Sequence, residues 1–190
     1  MDPVAALEAG LPVLLPTDTV YGLVSSHDEE AARRLYDLKG RRRDQPTAIL
    51  AATIEALIEA VPELDGDQLR KLLPGSYTLV VPNPAGRLPW LTGGAPGPIG
   101  VRVPQLPAQT HAIVAARGVV LATSANDPGG PNPATLGDVP QRIRDGCGAE
   151  LDLGPLPGTP STVIDFTQDE PRILREGAVP ASDALRRLRA

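Results

Sequence analysis

Two groups of residues in this chain have the types and spacing to do chemistry, and they lie close together. Thr17, Asp18, Thr19 and Tyr21 put three hydroxyls and a carboxylate into five positions, directly after the apolar run Leu11–Leu15 and Pro16. One short helix further on, Lys39, Arg41, Arg42 and Arg43 put four cations into five positions. Small hydroxyl donors paired with a dense cationic clamp suit a polyphosphate or nucleotide, because guanidinium groups hold phosphate oxygens in planar, bidentate geometry. The cluster also has a plainer reading. Lys39 closes a helix, where a cation stabilises the macrodipole, and arginines in a loop are often simply solvated.

Three further segments carry polar groups in suggestive places. In Val119–Asn126 an apolar strand runs into Thr123, Ser124 and Asn126. Ligands of open α/β sheets bind outside the carboxyl ends of strands, and hydroxyls and free N–H groups there hold carboxylates or phosphates. An Asx-capped turn explains the same residues. In Gly97–Pro104, Arg102 interrupts a strand; by alternation it shares a face with Gly100 and Pro104, opposite Val101 and Val103. It either snorkels to solvent or meets an anion. Ser161-Thr162 opens a strand that carries Asp165, and Leu174-Arg175-Glu176-Gly177 follows; on its own this reads as a hairpin with a surface ion pair.

Other chemistries are missing from the pattern. His27 and His111 are isolated, no His/Cys/Asp cluster has metal-ligand spacing, and neither a Walker A loop nor GxGxxG occurs. Cys147, the single cysteine, sits in a Gly-Cys-Gly turn with no nearby histidine, so a thiolate nucleophile is not expected. One cysteine also excludes an internal disulfide and fits a reducing cytoplasmic setting. The net charge of −5 gives no global field for nucleic acid, so any anion site must be a local basic pocket. The N-terminal MDPVAALEAG lacks a signal-peptide n-region, and no apolar run approaches the roughly 18 residues of a membrane span.

The elements that must position these groups alternate. A helix is expected over Ala5–Ala9 and a strand over Pro12–Leu15. Asp28 N-caps a helix with Ala31, Ala32, Leu35 and Leu38 inward, ended by Gly40. Strands follow at Thr47–Ala52, Tyr77–Val81, Ile99–Val103, Val119–Ala122, Ser161–Phe166 and Arg172–Leu174. Helices are expected at Ile54–Ala60, Asp67–Leu73, Ala108–Arg117 and Leu136–Arg144, with Ser182 capping a last one. Residues 82–98, rich in Pro and Gly, and Asn126–Pro133 read as loops. With 190 residues, no repeat and no linker, the expectation is one α/β domain over residues 1–190, built on a mixed twisted sheet with flanking helices.

Taken in order, PTDTVYGL (16–23), KGRRRDQP (39–46), PGSYTLVVP (74–82), VRVP (101–104), ATSAN (122–126), STVIDF (161–166) and LREG (174–177) resemble the YrdC/TsaC family, the L-threonylcarbamoyladenylate synthases of tRNA modification. The resemblance covers most of the chain. It implies a concave basic cavity and a nucleotidyl-transfer reaction. In that reaction ATP, L-threonine and bicarbonate give threonylcarbamoyl-AMP and pyrophosphate, with Mg²⁺ accompanying ATP. A transferase complex then passes the group to adenosine 37 of tRNAs reading ANN codons.

Carried over residue by residue, the resemblance puts Thr17, Tyr21, Arg102, Ala122 and Ser161 around threonine. Lys39, Arg41 and Arg43 hold the phosphates as the catalytic group. Thr78, Ser124, Asn132 and Arg175 join Lys39 and Arg43 around ATP. The chain departs from the family pattern at Arg42 (usually Pro), Thr47 (usually Leu), Ser76-Tyr77 (PGPLT reads PGSYT), Pro128 (usually Ser) and Asn132 (commonly Ser).

Two rival functions fit less well. An RNA-binding or ribosome-assembly module would use the same basic concavity, but one Trp, three Tyr and one Phe offer few stacking platforms for bases. A carbamoyl-transfer role like that of the YrdC-like domain of hydrogenase-maturation proteins would call for accessory acylphosphatase or zinc-finger segments, which are not expected here.

Overall fold

The computed structural model describes residues 1–42, 45, 47–92 and 97–189. In chain order the elements are α1 (Pro3–Glu8), β1 (Val13–Pro16), β2 (Tyr21–Ser25), α2 (Glu29–Lys39), β3 (Ala48–Ala51), α3 (Ile54–Ala60), α4 (Gly66–Arg70), β4 (Tyr77–Val81), β5 (Ile99–Arg102), α5 (Ala108–Arg117), β6 (Val119–Ser124), α6 (Gln141–Asp145), β7 (Ala149–Glu150), β8 (Thr162–Asp165), β9 (Arg172–Arg175) and α7 (Ala181–Arg189). The strands form one sheet in the order β7-β1-β2-β6-β3-β5-β4-β8-β9. β1–β7, β3–β5 and β4–β8 pair parallel and the other neighbours antiparallel, so the sheet is mixed.

Local chemistry sets the helix ends. The Asp28 carboxylate accepts from the Ala31 N–H at 2.9 Å, and Gly40 closes α2 with φ 65°. That conformation costs glycine little and other residues more. The buried stripe of α2 differs from the expected one: Tyr36 and Lys39 are 1% and 4% exposed, while Leu38 only flanks the core. The single helix expected over Leu136–Arg144 is two pieces. A 3₁₀ turn at Leu136–Asp138 stops before Pro140, which has no N–H to extend it, and α6 begins after that proline. Ser182 does not cap α7; the helix starts one residue earlier, and the Ala181 N–H donates to Glu176 Oε2 at 3.0 Å.

Strand β2 was not foreseen. All five of its residues are buried, so no alternation marks it, and Gly22 at its second position reads as punctuation. It forms a hairpin with β1, and its other edge pairs with β6. The short β7, which extends the β1 edge, was also missed.

The two faces of the sheet are covered differently, and that asymmetry creates the site. On one face Leu14, Leu23, Ile49, Leu79, Val101 and Ile164 pack beneath residues of α2, α3, α4, α6 and α7, along its whole width. On the other face, Ala6 and Leu7 of α1 and Val114 of α5 cover Val13, Leu15, Val24, Leu50 and Val120. These belong to β1, β2, β3 and β6, so no helix of that layer lies over β5, β4, β8 or β9. The register there sets Ala122, Ala48, Gly100 and Val80 side by side across β6, β3, β5 and β4. Small side chains in the row leave a hollow; a Cβ on Gly100 would sit 3.4 Å from Ala48 Cβ and 3.6 Å from Thr78 Cγ2.

Candidate active site

The hollow is a cavity of about 410 Å³, walled by Arg102, Thr78, Ser161, Thr19, Thr47 and the Ala48–Gly100–Ala122 floor. A second recess of about 470 Å³ adjoins it, bounded by Lys39, Asn126, Asp127 and the Gly129-Gly130 turn. Arg41, Ser124, Asn132 and Arg175 line both. Eleven of the twelve predicted site residues lie among the described residues, and nine of those line this two-lobed cleft: Lys39, Arg41, Thr78, Arg102, Ala122, Ser124, Asn132, Ser161 and Arg175. Alternation placed Arg102 correctly, since Val101 and Val103 are fully buried on the opposite face.

Within the first lobe the polar groups are already engaged. Thr78 Oγ1 and Ser161 Oγ are 2.7 Å apart. The Arg175 guanidinium donates to the Ser161 carbonyl from Nη2 at 2.8 Å and from Nε at 3.3 Å. The surface pairing of Arg175 with Glu176 considered from the sequence gives way to this; the Glu176 carboxylate instead accepts from Ala181. Arg102 Nη2 donates to Asp18 Oδ1 at 3.0 Å, with both side chains almost fully buried, and Asp18 Oδ2 accepts from Ser76 Oγ at 2.6 Å. The anion that Arg102 meets inside the protein is thus Asp18. Arg102 Nε remains buried with no hydrogen-bond partner among the described residues.

The second lobe is organised by Lys39. Its Nζ donates to the Ser124 carbonyl and to Asn126 Oδ1, each at 2.5 Å, and to the Asn126 carbonyl. Ser124 Oγ in turn donates to Asn126 Oδ1 at 2.6 Å, and Asn126 Nδ2 to the Gly130 carbonyl at 2.7 Å. Burial, reinforced by the neighbouring Arg41 charge, brings the Lys39 ammonium down to about 8. Burial likewise pulls Arg41, Arg102 and Arg175 below the usual guanidinium range; Asp18 works against this at Arg102 and Arg175 adds to it. Four desolvated cations against Asp127 on the wall make the cleft a positive pocket in a chain of net charge −5.

Thr17 and Tyr21 are not on the wall. Thr17 Oγ1 donates to the Val20 carbonyl at 2.7 Å and closes the β1–β2 turn. The Tyr21 hydroxyl turns into the core, donating to Asp152 Oδ1 at 2.7 Å, and burial, together with that carboxylate, makes it a weaker acid than an ordinary tyrosine. Tyr21 shares with Leu23 the face of β2 that the helix layer covers, while Thr19 and Val20, in the turn before the strand, reach the cleft. Arg43 lies outside the described residues. Thr19, Thr47 and Thr123 on the wall, and Asp18 and Ser76 behind it, were not assigned as site residues from the sequence; Thr19 and Asp18 were signalled only as members of the opening hydroxyl cluster, and Thr123 only as part of the polar end of Val119–Asn126.

Relatives of known name share this arrangement of chain. Residues 5–177 match the Sua5/YciO/YrdC family profile, described as telomere recombination. A Mycobacterium tuberculosis protein is 35% identical over 93% of this chain and 82% of its own. The threonylcarbamoyl-AMP synthase of Pyrococcus abyssi is 32% identical over 93% of this chain and 53% of its own, so the chain spans about half of that relative. The crystal structure of P. abyssi Sua5 complexed with L-threonine superposes with a TM-score of 0.83 at 31% identity, over 97% of this chain and 55% of the other. The match runs across all nine strands and stops short of α7, and the chain belongs to the Sua5/YciO/YrdC family.

Proposed function

We propose that this protein is an L-threonylcarbamoyladenylate synthase, joining L-threonine, bicarbonate and ATP into threonylcarbamoyl-AMP with release of pyrophosphate. The observation that carries the reading is the two-lobed cleft. One lobe presents Arg102 with the Thr78–Ser161 hydroxyl pair, which suits the carboxylate and hydroxyl of a small amino acid. The other presents Lys39, Arg41 and Arg175 with Ser124 and Asn132, which suits a nucleotide and its phosphates. The P. abyssi protein that shares the fold binds threonine.

The chemistry asks for no protein nucleophile. The threonine amine and bicarbonate give a carbamate, whose oxygen attacks the α-phosphorus of ATP and expels pyrophosphate. The cleft orients the carbamate, neutralises charge on the phosphates and keeps water from a labile acyl-adenylate. Mg²⁺ enters with ATP. Among the described residues no group of three or more His, Cys, Asp or Glu could hold a metal, so phosphate oxygens and water would be its ligands. The product then serves a transferase complex acting on adenosine 37 of tRNAs reading ANN codons. A cytoplasmic setting goes with that role; no helix among the described residues is long and apolar enough to cross a membrane.

The test is to incubate the purified protein with ATP, Mg²⁺, bicarbonate and threonine, and to measure pyrophosphate and the threonylcarbamoyl-AMP mass. Absence of both products sinks the reading. Serine should be used less well, because the apolar wall formed by Val80, Ala122 and Val163 rewards one methyl by about 1–3 kcal/mol, or roughly 10–200-fold in kcat/KM.

A further inference from the structure

We propose that Asp18 and Ser76 are positioning residues for the amino-acid substrate, acting through Arg102. This rests on the synthase reading above. Asp18 does not line the cleft; its neighbours Thr19 and Val20 do, and its carboxylate lies behind them, 5% exposed. Both carboxylate oxygens are in use. Oδ1 takes the Arg102 N–H at 3.0 Å and Oδ2 takes the Ser76 hydroxyl at 2.6 Å.

The three residues come from segments far apart in sequence, and each is held independently. Asp18 sits in the β1–β2 turn, closed by the Thr17 hydroxyl on the Val20 carbonyl. The Ser76 carbonyl accepts from the Thr162 N–H at 3.0 Å, where β4 joins β8. Arg102 ends β5. The relay thus ties the guanidinium to two rigid points. A free arginine would bring large rotamer entropy to the site, and a fixed one presents its remaining N–H groups already aimed.

The relay also divides the charge of the cleft. Asp18 offsets the positive charge of Arg102 and its repulsion from Arg175. Among the described residues, no carboxylate is bonded to Lys39, Arg41 or Arg175, the other cations that line the cleft. A monoanionic carboxylate is therefore directed to Arg102 and a polyphosphate to the other lobe. Ser76 is particular to this chain's pattern, since it stands where PGPLT carries proline, which has no side-chain donor.

The test uses the full chain and the variants Ser76→Ala, Ser76→Thr and Asp18→Asn, with KM for threonine and for ATP measured separately and melting curves recorded. Loss of one hydrogen bond should raise the threonine KM of Ser76→Ala by about 2–10-fold, with the ATP KM unchanged within about twofold and the fold intact. Ser76→Thr keeps the hydroxyl and should recover the wild-type value. Asp18→Asn removes the charged acceptor and should raise the threonine KM by about tenfold or more.

An unchanged threonine KM in Ser76→Ala, or equal rises in both KM values, overturns the proposal; should Asp18→Asn fail to fold, Ser76→Ala decides alone. Calorimetric titration with threonine separates this from the parent reading. Wild type that binds threonine more tightly than Ser76→Ala but makes no adenylate supports the relay and removes the synthase. Wild type that neither binds nor turns over threonine overturns both.

Discussion

Lys39 Nζ lies 2.5 Å from Oδ1 of Asn126, a residue 87 positions away, so the cation that ends α2 holds the loop that follows β6. Its bonds go to protein oxygens of Ser124 and Asn126, and it shapes the phosphate lobe by fixing that loop. Lys39→Met keeps the stem and removes the donor, so the loop should loosen and ATP binding should weaken by about tenfold or more, since charge-assisted bonds of this kind are worth about 1.5–3 kcal/mol each. Equilibrium binding of an ATP analogue checks this, with retained affinity as the contrary result.

The same lysine gives a pH signature. Its folded-state value, about 8, lies below the ordinary 10.5, so between those limits the unfolded chain holds a proton that the folded chain releases. Stability should therefore rise with pH across that window relative to a chain lacking the group. Urea unfolding at pH 7, 8.5 and 10 should show this rise in wild type and its loss in Lys39→Met. A parallel pH response of the two proteins would contradict the assignment.

Gly177 controls the position of Ser161. A Cβ there would lie 2.1 Å from the Pro160 carbonyl oxygen and 2.6 Å from the Ser161 carbonyl carbon and oxygen, all backbone atoms. Gly177→Ala should destabilise the fold by about 1–3 kcal/mol through overpacking. It should also displace the carbonyl that accepts from Arg175, so turnover should fall further than stability does. Melting temperature and kcat/KM together measure the two effects.

Thr47 offers the opposite change. It is 3% exposed and its hydroxyl has no hydrogen-bond partner among the described residues. Thr47→Val keeps the shape and removes an unsatisfied group, so it should stabilise the protein by about 1 kcal/mol. For 190 residues that is a rise of about 2–4 °C in melting temperature. A lower melting temperature would show that the hydroxyl is satisfied in solution.

Cys147 should be inert. Its thiol donates to the Ile143 carbonyl at 3.1 Å, and burial, with Glu150 nearby, pushes it up to about 12. Iodoacetamide at neutral pH should leave the native protein unlabelled and active, with labelling only after denaturation.

Several features of this protein are decided by short stretches of sequence. Asp28 and Gly40 bracket α2 through bonds to residues within four positions, and Arg102 faces away from Val101 because strand side chains alternate. The motifs then identified nine of the cleft residues without any coordinate. Tertiary structure decided what those residues do to each other. Tyr21 reaches Asp152 across 131 positions, Arg102 reaches Asp18 across 84 and Lys39 reaches Asn126 across 87. Strand β2 escaped notice because all five of its residues are buried, so no alternation marks it. Local rules act over a turn of helix or a pair of strand residues, whereas the partner of a buried charge is chosen by which strands become neighbours in the sheet.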